Sequence, residues 1–267
     1  MAAGDAASET IQEGPHRSRR LGVRDDASVD DSEFVEAAPD VRRVTGARRV
    51  RLGDVTSSGR LRLDAVARYL QDIAADDVDD AGVEGSWVTR RVDLRLGELP
   101  RYGTALTVET FCTGAGPRWA ERRTNIVVGD RQEVQARAIW VFLNREGGTA
   151  PLPAGFFEHY GAAAGRRVSG RLRLAPPTDD APERAWPLRA SDIDVLDHVN
   201  NAVALAAVED ELARRPARRR LATMQVEYRA PIDPGDEPGL VTTWDDDALS
   251  CWLRVDGDVR VAARVEW

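Results

Sequence analysis

The sequence predicts an α+β fold made of two copies of one unit. In each copy an antiparallel sheet wraps around a long helix, and the two sheets join edge to edge into one continuous sheet. Three observations predict this. Apolar residues at Leu63, Val66, Ala67, Leu70, Ile73 and Ala74 trace one face of a helix. Strand-like runs follow, separated by Gly, Pro and Asp turns. The same order then recurs: Val50-Arg51-Leu52-Gly53-Asp54-Val55-Thr56 aligns with Leu188-Arg189-Ala190-Ser191-Asp192-Ile193-Asp194 at an offset of 138, with no gap through the helix. Edge-to-edge joining covers strand edges that would otherwise be exposed.

In chain order, residues 1–44 read as a disordered acidic tail. Residues 1–40 hold ten acids and four arginines and show little apolar periodicity. The first unit spans 45–146. It opens with an alternating strand near Ala47–Leu52, continues with the helix, and breaks at Asp76–Asp80 and Gly82. Strands are expected at Trp87–Leu96, Ala105–Cys112, Trp119–Val128 and Val134–Leu143. A connector rich in Gly, Pro and Ala fills 147–183. The second unit, 184–267, brings a strand near Leu188, a helix from Val199 to about Leu212, and strands at 221–229, 239–244, 249–255 and 259–267.

Composition narrows the function. The net charge of −8 lies mostly in the tail, so the body is nearly neutral, which argues against a nucleic-acid binder. Every basic residue is Arg, so arginine clusters are discounted as evidence of a binding site. No run approaches the roughly 18 apolar residues of a membrane span, and the first residues lack the apolar core of a signal peptide, so no membrane association and a cytoplasmic location are expected. Cys112 and Cys251 sit in strand-like runs and read as buried thiols. His16, His159 and His198 are far apart, and no metal-binding spacing is present.

The densest polar stretch is Ser191-Asp192-Ile193-Asp194-Val195-Leu196-Asp197-His198-Val199-Asn200-Asn201, which leads directly into an apolar helix. A carboxylate and an imidazole together suit a hydrolytic site. The repeat separates chemistry from scaffold. Asp192 matches Asp54 and reads as structural, whereas Thr56 stands at the place of Asp194, Arg60 at that of His198 and Leu63 at that of Asn201. The second half is therefore expected to carry the chemistry and the first to line the site.

At these residues the chain resembles the acyl-ACP thioesterases, whose second unit carries a motif of the form Ser-Asp-Leu-Asp-x-Asn-x-His-Val-Asn-Asn. The resemblance continues in Tyr69-Leu70-Gln71-Asp72-Ile73-Ala74, Gly103–Thr110, Ala138–Asn144 and Val226-Glu227-Tyr228-Arg229, and covers about 47–267. It implies a tandem hot-dog fold and hydrolysis of a fatty acyl thioester carried on acyl carrier protein or CoA, with no cofactor. A homodimer is compatible with it. Alternatives of other kinds are a non-catalytic acyl-thioester binding protein and a dehydratase of the same fold. Two departures stand out: Leu196 replaces the motif's Asn, and Pro231-Ile232 replace a Glu-Cys pair. Asp197, Asp233 or Asn200 are the candidate substitutes.

Asp194 is the candidate general base or nucleophile, against the alternative of a plain loop carboxylate. His198 can shuttle a proton, since an imidazole exchanges protons near neutral pH, or simply hold the loop. Asn200 and Asn201 can bind the pantetheine arm or cap the helix. Asp197 is held as an auxiliary acid, and backbone N–H groups around Val199–Asn201 as an oxyanion hole. Val199, Trp87 and Trp140 are candidates for contact with the acyl chain. Arg218 and Arg219 are candidates for the carrier's phosphate or acidic surface. Glu227 reads as a surface partner of Arg229.

Overall fold

The structure, a computed structural model, describes residues 34–215 and 220–267. Ten antiparallel strands form one open sheet in the order β1-β3-β4-β5-β2-β7-β10-β9-β8-β6. The first half supplies β1 (Arg43–Arg49), α1 (Leu63–Ala81), β2 (Ser86–Leu96), β3 (Ala105–Ala115), β4 (Trp119–Val128) and β5 (Arg131–Leu143). Helix α2 (Ala154–Ala164) follows in the connector. The second half supplies β6 (Glu183–Ala185), α3 (Asn201–Arg214), β7 (Thr223–Tyr228), β8 (Gly239–Trp244), β9 (Ala248–Val255) and β10 (Asp258–Glu266).

The halves repeat in backbone detail. One-turn 3-10 helices occupy Leu52–Asp54 and Ala190–Asp192, and α1 and α3 begin at Leu63 and Asn201, each pair 138 residues apart. Asp54 and Asp192 accept hydrogen bonds from the N–H groups of Arg51 and Arg189, at 3.0 and 2.8 Å. Asp192 is thus part of the scaffold. The sheets join through β2 and β7, with Val92 opposite Val226 and Leu94 opposite Met224. Both helices lie on one face of this seam. Leu63, Val66, Leu70 and Ile73 of α1 share a single core with Leu205 and Val208 of α3 and with Leu94, Val226, Leu253 and Val265 of the sheet. Burying each such aliphatic chain contributes roughly 1.5–3 kcal/mol, which makes the seam the natural centre of stability. Gly82, at φ +64°, ends α1 in the left-handed conformation that a side chain would disfavour.

Several expectations are revised. Of the tail expected over 1–44, residues 1–33 lie outside the described residues, and the remainder is ordered: the Phe34 ring lies under Arg95, Arg123 and Arg137. β1 starts at Arg43, earlier than the expected strand, because Arg43–Arg49 pairs fully with Phe111–Ala105. The strand expected near Leu188 is instead the short edge strand β6, paired with Val241–Gly239 of β8. Val199 lies ahead of α3 and bridges to Ile193.

The connector is more than a link. Phe156 and Tyr160 of α2 pack on Phe111, Cys112 and Phe142, and cover one end of the first half. Beyond α2 the chain crosses the opposite face of the sheet, tied down by side chains from both halves. Trp119 Nε1 donates to Val168 O and Trp252 Nε1 to Ala175 O, each at 2.9 Å. Glu227 is fully buried beneath this strap, where it accepts from the Arg173 and Leu174 N–H groups and from Arg229. It does pair with Arg229, but as an internal clamp rather than at the surface.

Candidate active site

The motif folds as a tight turn before α3. Asp194 N–H donates to His198 O at 2.9 Å, and Thr56 N–H makes the matching bond to Arg60 O at 2.8 Å in the first half. Asp197 takes φ +59° where Gly59 takes +82°. This position requires a left-handed backbone, which Asp tolerates better than most side chains. Asp197 is exposed.

Asp194 is held on both oxygens. Oδ1 accepts the Leu196 N–H at 2.9 Å, and Oδ2 accepts Asn200 Nδ2 at 3.2 Å. Asn200 is also the N-cap of α3, its Oδ1 accepting the Ala202 N–H at 2.9 Å. One amide thus caps the helix and orients the carboxylate. The His198 ring pairs with Asp233 and not with Asp194, with Nδ1 and Oδ1 2.9 Å apart, and both groups are about half exposed. Asp233 follows directly on Pro231-Ile232, so it is the one of the three candidate substitutes that meets the imidazole.

The expected oxyanion hole narrows to one group. The Val199 N–H donates to Ile232 O at 2.9 Å and the Asn200 N–H to Asp192 O at 2.8 Å, so both are consumed. The Asn201 N–H makes no hydrogen bond among the described residues.

Asp194, Leu196 and Asn200 stand at the mouth of a cavity of about 490 Å³, within the usual range of small-ligand pockets of roughly 300–1,000 Å³. Its walls are Ala74, Ala75 and Val78 of α1, Trp87 and Trp140 of the sheet, and Phe156 and Tyr160 of α2, with Asp72, Asp79, Glu121 and Arg122 also lining it. The motif of the second half therefore opens onto a chamber carved in the first. Trp87 and Trp140 both line it. Val199 does not: it is buried in the central core. Arg218 and Arg219 lie outside the described residues. Arg215 stacks on Trp244, and Arg166 pairs with Glu121 at 2.6 Å.

Gln71 was not identified from the sequence. It lines the cavity beside Asp194 and Asn200, and also a small apolar slot between α1 and α3 that it shares with Asn201. The internal repeat pairs it with Glu209, which was the available signal. Among the described residues no group of three His, Cys, Asp or Glu side chains is placed to hold a metal, and no helix is long and apolar enough to cross a membrane.

A duplicated helix-in-sheet unit, with an acidic turn beside a chamber in the first half, defines the double hot-dog class. The chain belongs to the acyl-ACP thioesterase family. The family model of the N-terminal domain matches residues 45–150, and that of the C-terminal domain matches 176–267. Membership makes it a thioester hydrolase acting on fatty acyl-ACP. An acyl-ACP thioesterase from Bacteroides thetaiotaomicron superposes with a TM-score of 0.72 at 19% identity, over 84% of this chain and 97% of that one. The 12:0-ACP thioesterase from Umbellularia californica gives 0.70 at 18% identity, over 84% and 93%. An uncharacterized protein of Mycobacterium tuberculosis is 27% identical over 80% of this chain and 88% of its own length.

Proposed function

We propose that the fatty acyl chain lies in the chamber between α1, α2 and the sheet, and that Asp194 drives hydrolysis of the thioester at its mouth. The observation that carries this reading is the placement of the Asp194 carboxylate, fixed by Leu196 N–H and Asn200, on the wall of a cavity that also carries Ala74, Ala75, Val78, Trp87, Trp140 and Phe156. Asp194 takes a proton from water, and the water oxygen bonds to the thioester carbon as the carbonyl electron pair moves to oxygen. Collapse of this intermediate re-forms the carbonyl and breaks the carbon–sulfur bond. The proton that Asp194 took from water passes to the departing thiolate, relayed by His198, which Asp233 orients, so that both residues end in their starting states. The products are a free fatty acid and the carrier thiol.

The exposed setting of His198 and Asp233 suits the leaving thiol, which must exit with the carrier. The carrier is acyl carrier protein in this reading, with CoA as the alternative thiol. The reaction takes place in the cytoplasm, by a monomer or a homodimer. The test is thiol release from acyl-ACP and acyl-CoA of graded chain length, with Asp194→Ala alongside. The variant is expected to lose about 10²–10⁴-fold in kcat while keeping its fold. Near wild-type turnover in Asp194→Ala would remove this carboxylate from the mechanism. Saturable binding without turnover in the wild type would make Leu196 and Pro231 the marks of a binding protein.

A further inference from the structure

Gln71 of α1 and Glu209 of α3 occupy equivalent places, 138 residues apart, and each faces the start of the other half's helix. In the first half that contact is closed. Glu209 Oε1 accepts the Leu63 N–H at 2.6 Å, and the same carboxylate holds Arg60 at 3.1 and 2.7 Å. The first N–H of α1 is thereby consumed by a negative charge. In the second half the three equivalent groups are Gln71, the Asn201 N–H and His198. His198 pairs with Asp233, and neither the Gln71 side chain nor the Asn201 N–H makes a hydrogen bond among the described residues. Gln71 nonetheless borders the same cavity as Asp194 and Asn200, and the same slot as Asn201.

We propose that Gln71 is a catalytic residue of the thioester hydrolysis, its side-chain N–H and the Asn201 N–H together binding the thioester carbonyl oxygen and the oxyanion it becomes. The proposal rests on the hydrolytic reading of Asp194. The physical reason is the exchange of a carboxylate for an amide. A carboxylate at this place can only accept, so it occupies the helix-start N–H, as Glu209 does at Leu63. It would also repel both Asp194 and the developing negative charge. An amide is neutral, donates two N–H groups, and leaves the backbone N–H open to substrate. The closed half of the molecule displays the arrangement that a Glu at position 71 would rebuild.

The experiment compares Gln71→Glu, Gln71→Met and Asp194→Ala for kcat and KM on one acyl-ACP substrate between pH 5 and 8. Folding is checked by thermal melts. Loss of one oxyanion donor costs about 10²–10³-fold in kcat, so Gln71→Met is expected to fall by that factor with KM little changed. Gln71→Glu is expected to fall at least as far at pH 8 and to recover part of its rate toward pH 5, relative to wild type, as the neutral acid becomes a donor. A purely structural Gln71 would give no such pH-dependent recovery. A folded Gln71→Met variant with kcat within about threefold of wild type would overturn the proposal, as would full activity of Gln71→Glu at pH 8. If one variant fails to fold, the other decides on its own criterion. Loss of rate in Asp194→Ala alongside unimpaired Gln71 variants would sink this inference alone. Full activity in Asp194→Ala would sink the hydrolytic reading beneath it.

Discussion

Glu209 reaches from α3 into the other half of the molecule, where its carboxylate grips Arg60 at 3.1 and 2.7 Å. The pair ties the two repeats together across the helix interface. Glu209 is itself nearly inaccessible, while Arg60 keeps partial contact with water. Removing the acid leaves the Leu63 N–H unsatisfied and a mostly buried guanidinium with no counter-charge, held only by the Leu61 carbonyl. Glu209→Ala is therefore expected to destabilise the fold by about 3 kcal/mol. Thermal melts should show a fall in Tm of roughly 6–12 °C for a chain of this size. An unchanged Tm would mean that the halves are held by the seam and the apolar core alone.

His198 and Asp233 should behave as one unit. His198→Ala is expected to lower kcat by about 10²-fold through loss of proton transfer to the thiol. Asp233→Asn should cost about tenfold, by releasing the imidazole from its orientation. The double variant should match His198→Ala, because Asp233 acts only through the imidazole. Additive losses would show that Asp233 touches the reaction by a separate route. Stability should move by no more than about 1 kcal/mol in any of the three, since the pair is exposed.

Chain-length preference should respond to Val78, which lines the chamber from α1. Val78→Phe is expected to fill part of the volume without touching Asp194 or Asn200. The variant should favour shorter chains, and its kcat/KM on the longest accepted acyl chain should drop by about 10–200-fold. Short-chain turnover should be preserved. A uniform loss at all lengths would place the acyl chain outside this cavity.

The repeat was legible because backbone requirements leave a residue signature. Asp54 and Asp192 both bind the N–H three residues upstream, and the left-handed turn position selects Gly59 in one half and Asp197 in the other. Apolar spacing in α1 likewise shows directly in Leu63, Leu70 and Ile73. What stayed hidden depends on contacts far apart in sequence. Glu227 beside Arg229 resembles a surface pair until the strap at Arg173 and Leu174 covers it. Gln71 lies on a helix that otherwise reads as scaffold, and only the packing of α1 against α3 brings it to Asn201. Asp233 meets His198 across 35 residues, through a loop with no periodicity to read.

Cys112 gives a readout of how dry the chamber is. Its thiol borders the cavity floor, and burial pushes its pKa up to about 11. In the unfolded chain a thiol titrates near roughly 8.5. The folded value is the higher one, so the fold favours the neutral thiol. That contribution to stability is complete below about pH 8.5 and is lost as pH rises toward about 11. At pH 8 the native thiolate population is expected to be about 10²-fold below that of a free thiol. A disulfide reagent should accordingly label native Cys112 slowly, and a long-chain fatty acid should slow it further by filling the approach. Cys251 is buried in the second half, away from this cavity, and should react only on unfolding. Fast labelling of one thiol at pH 8, unaffected by fatty acid, would mean that water reaches the floor of the chamber by a path the acyl chain does not block.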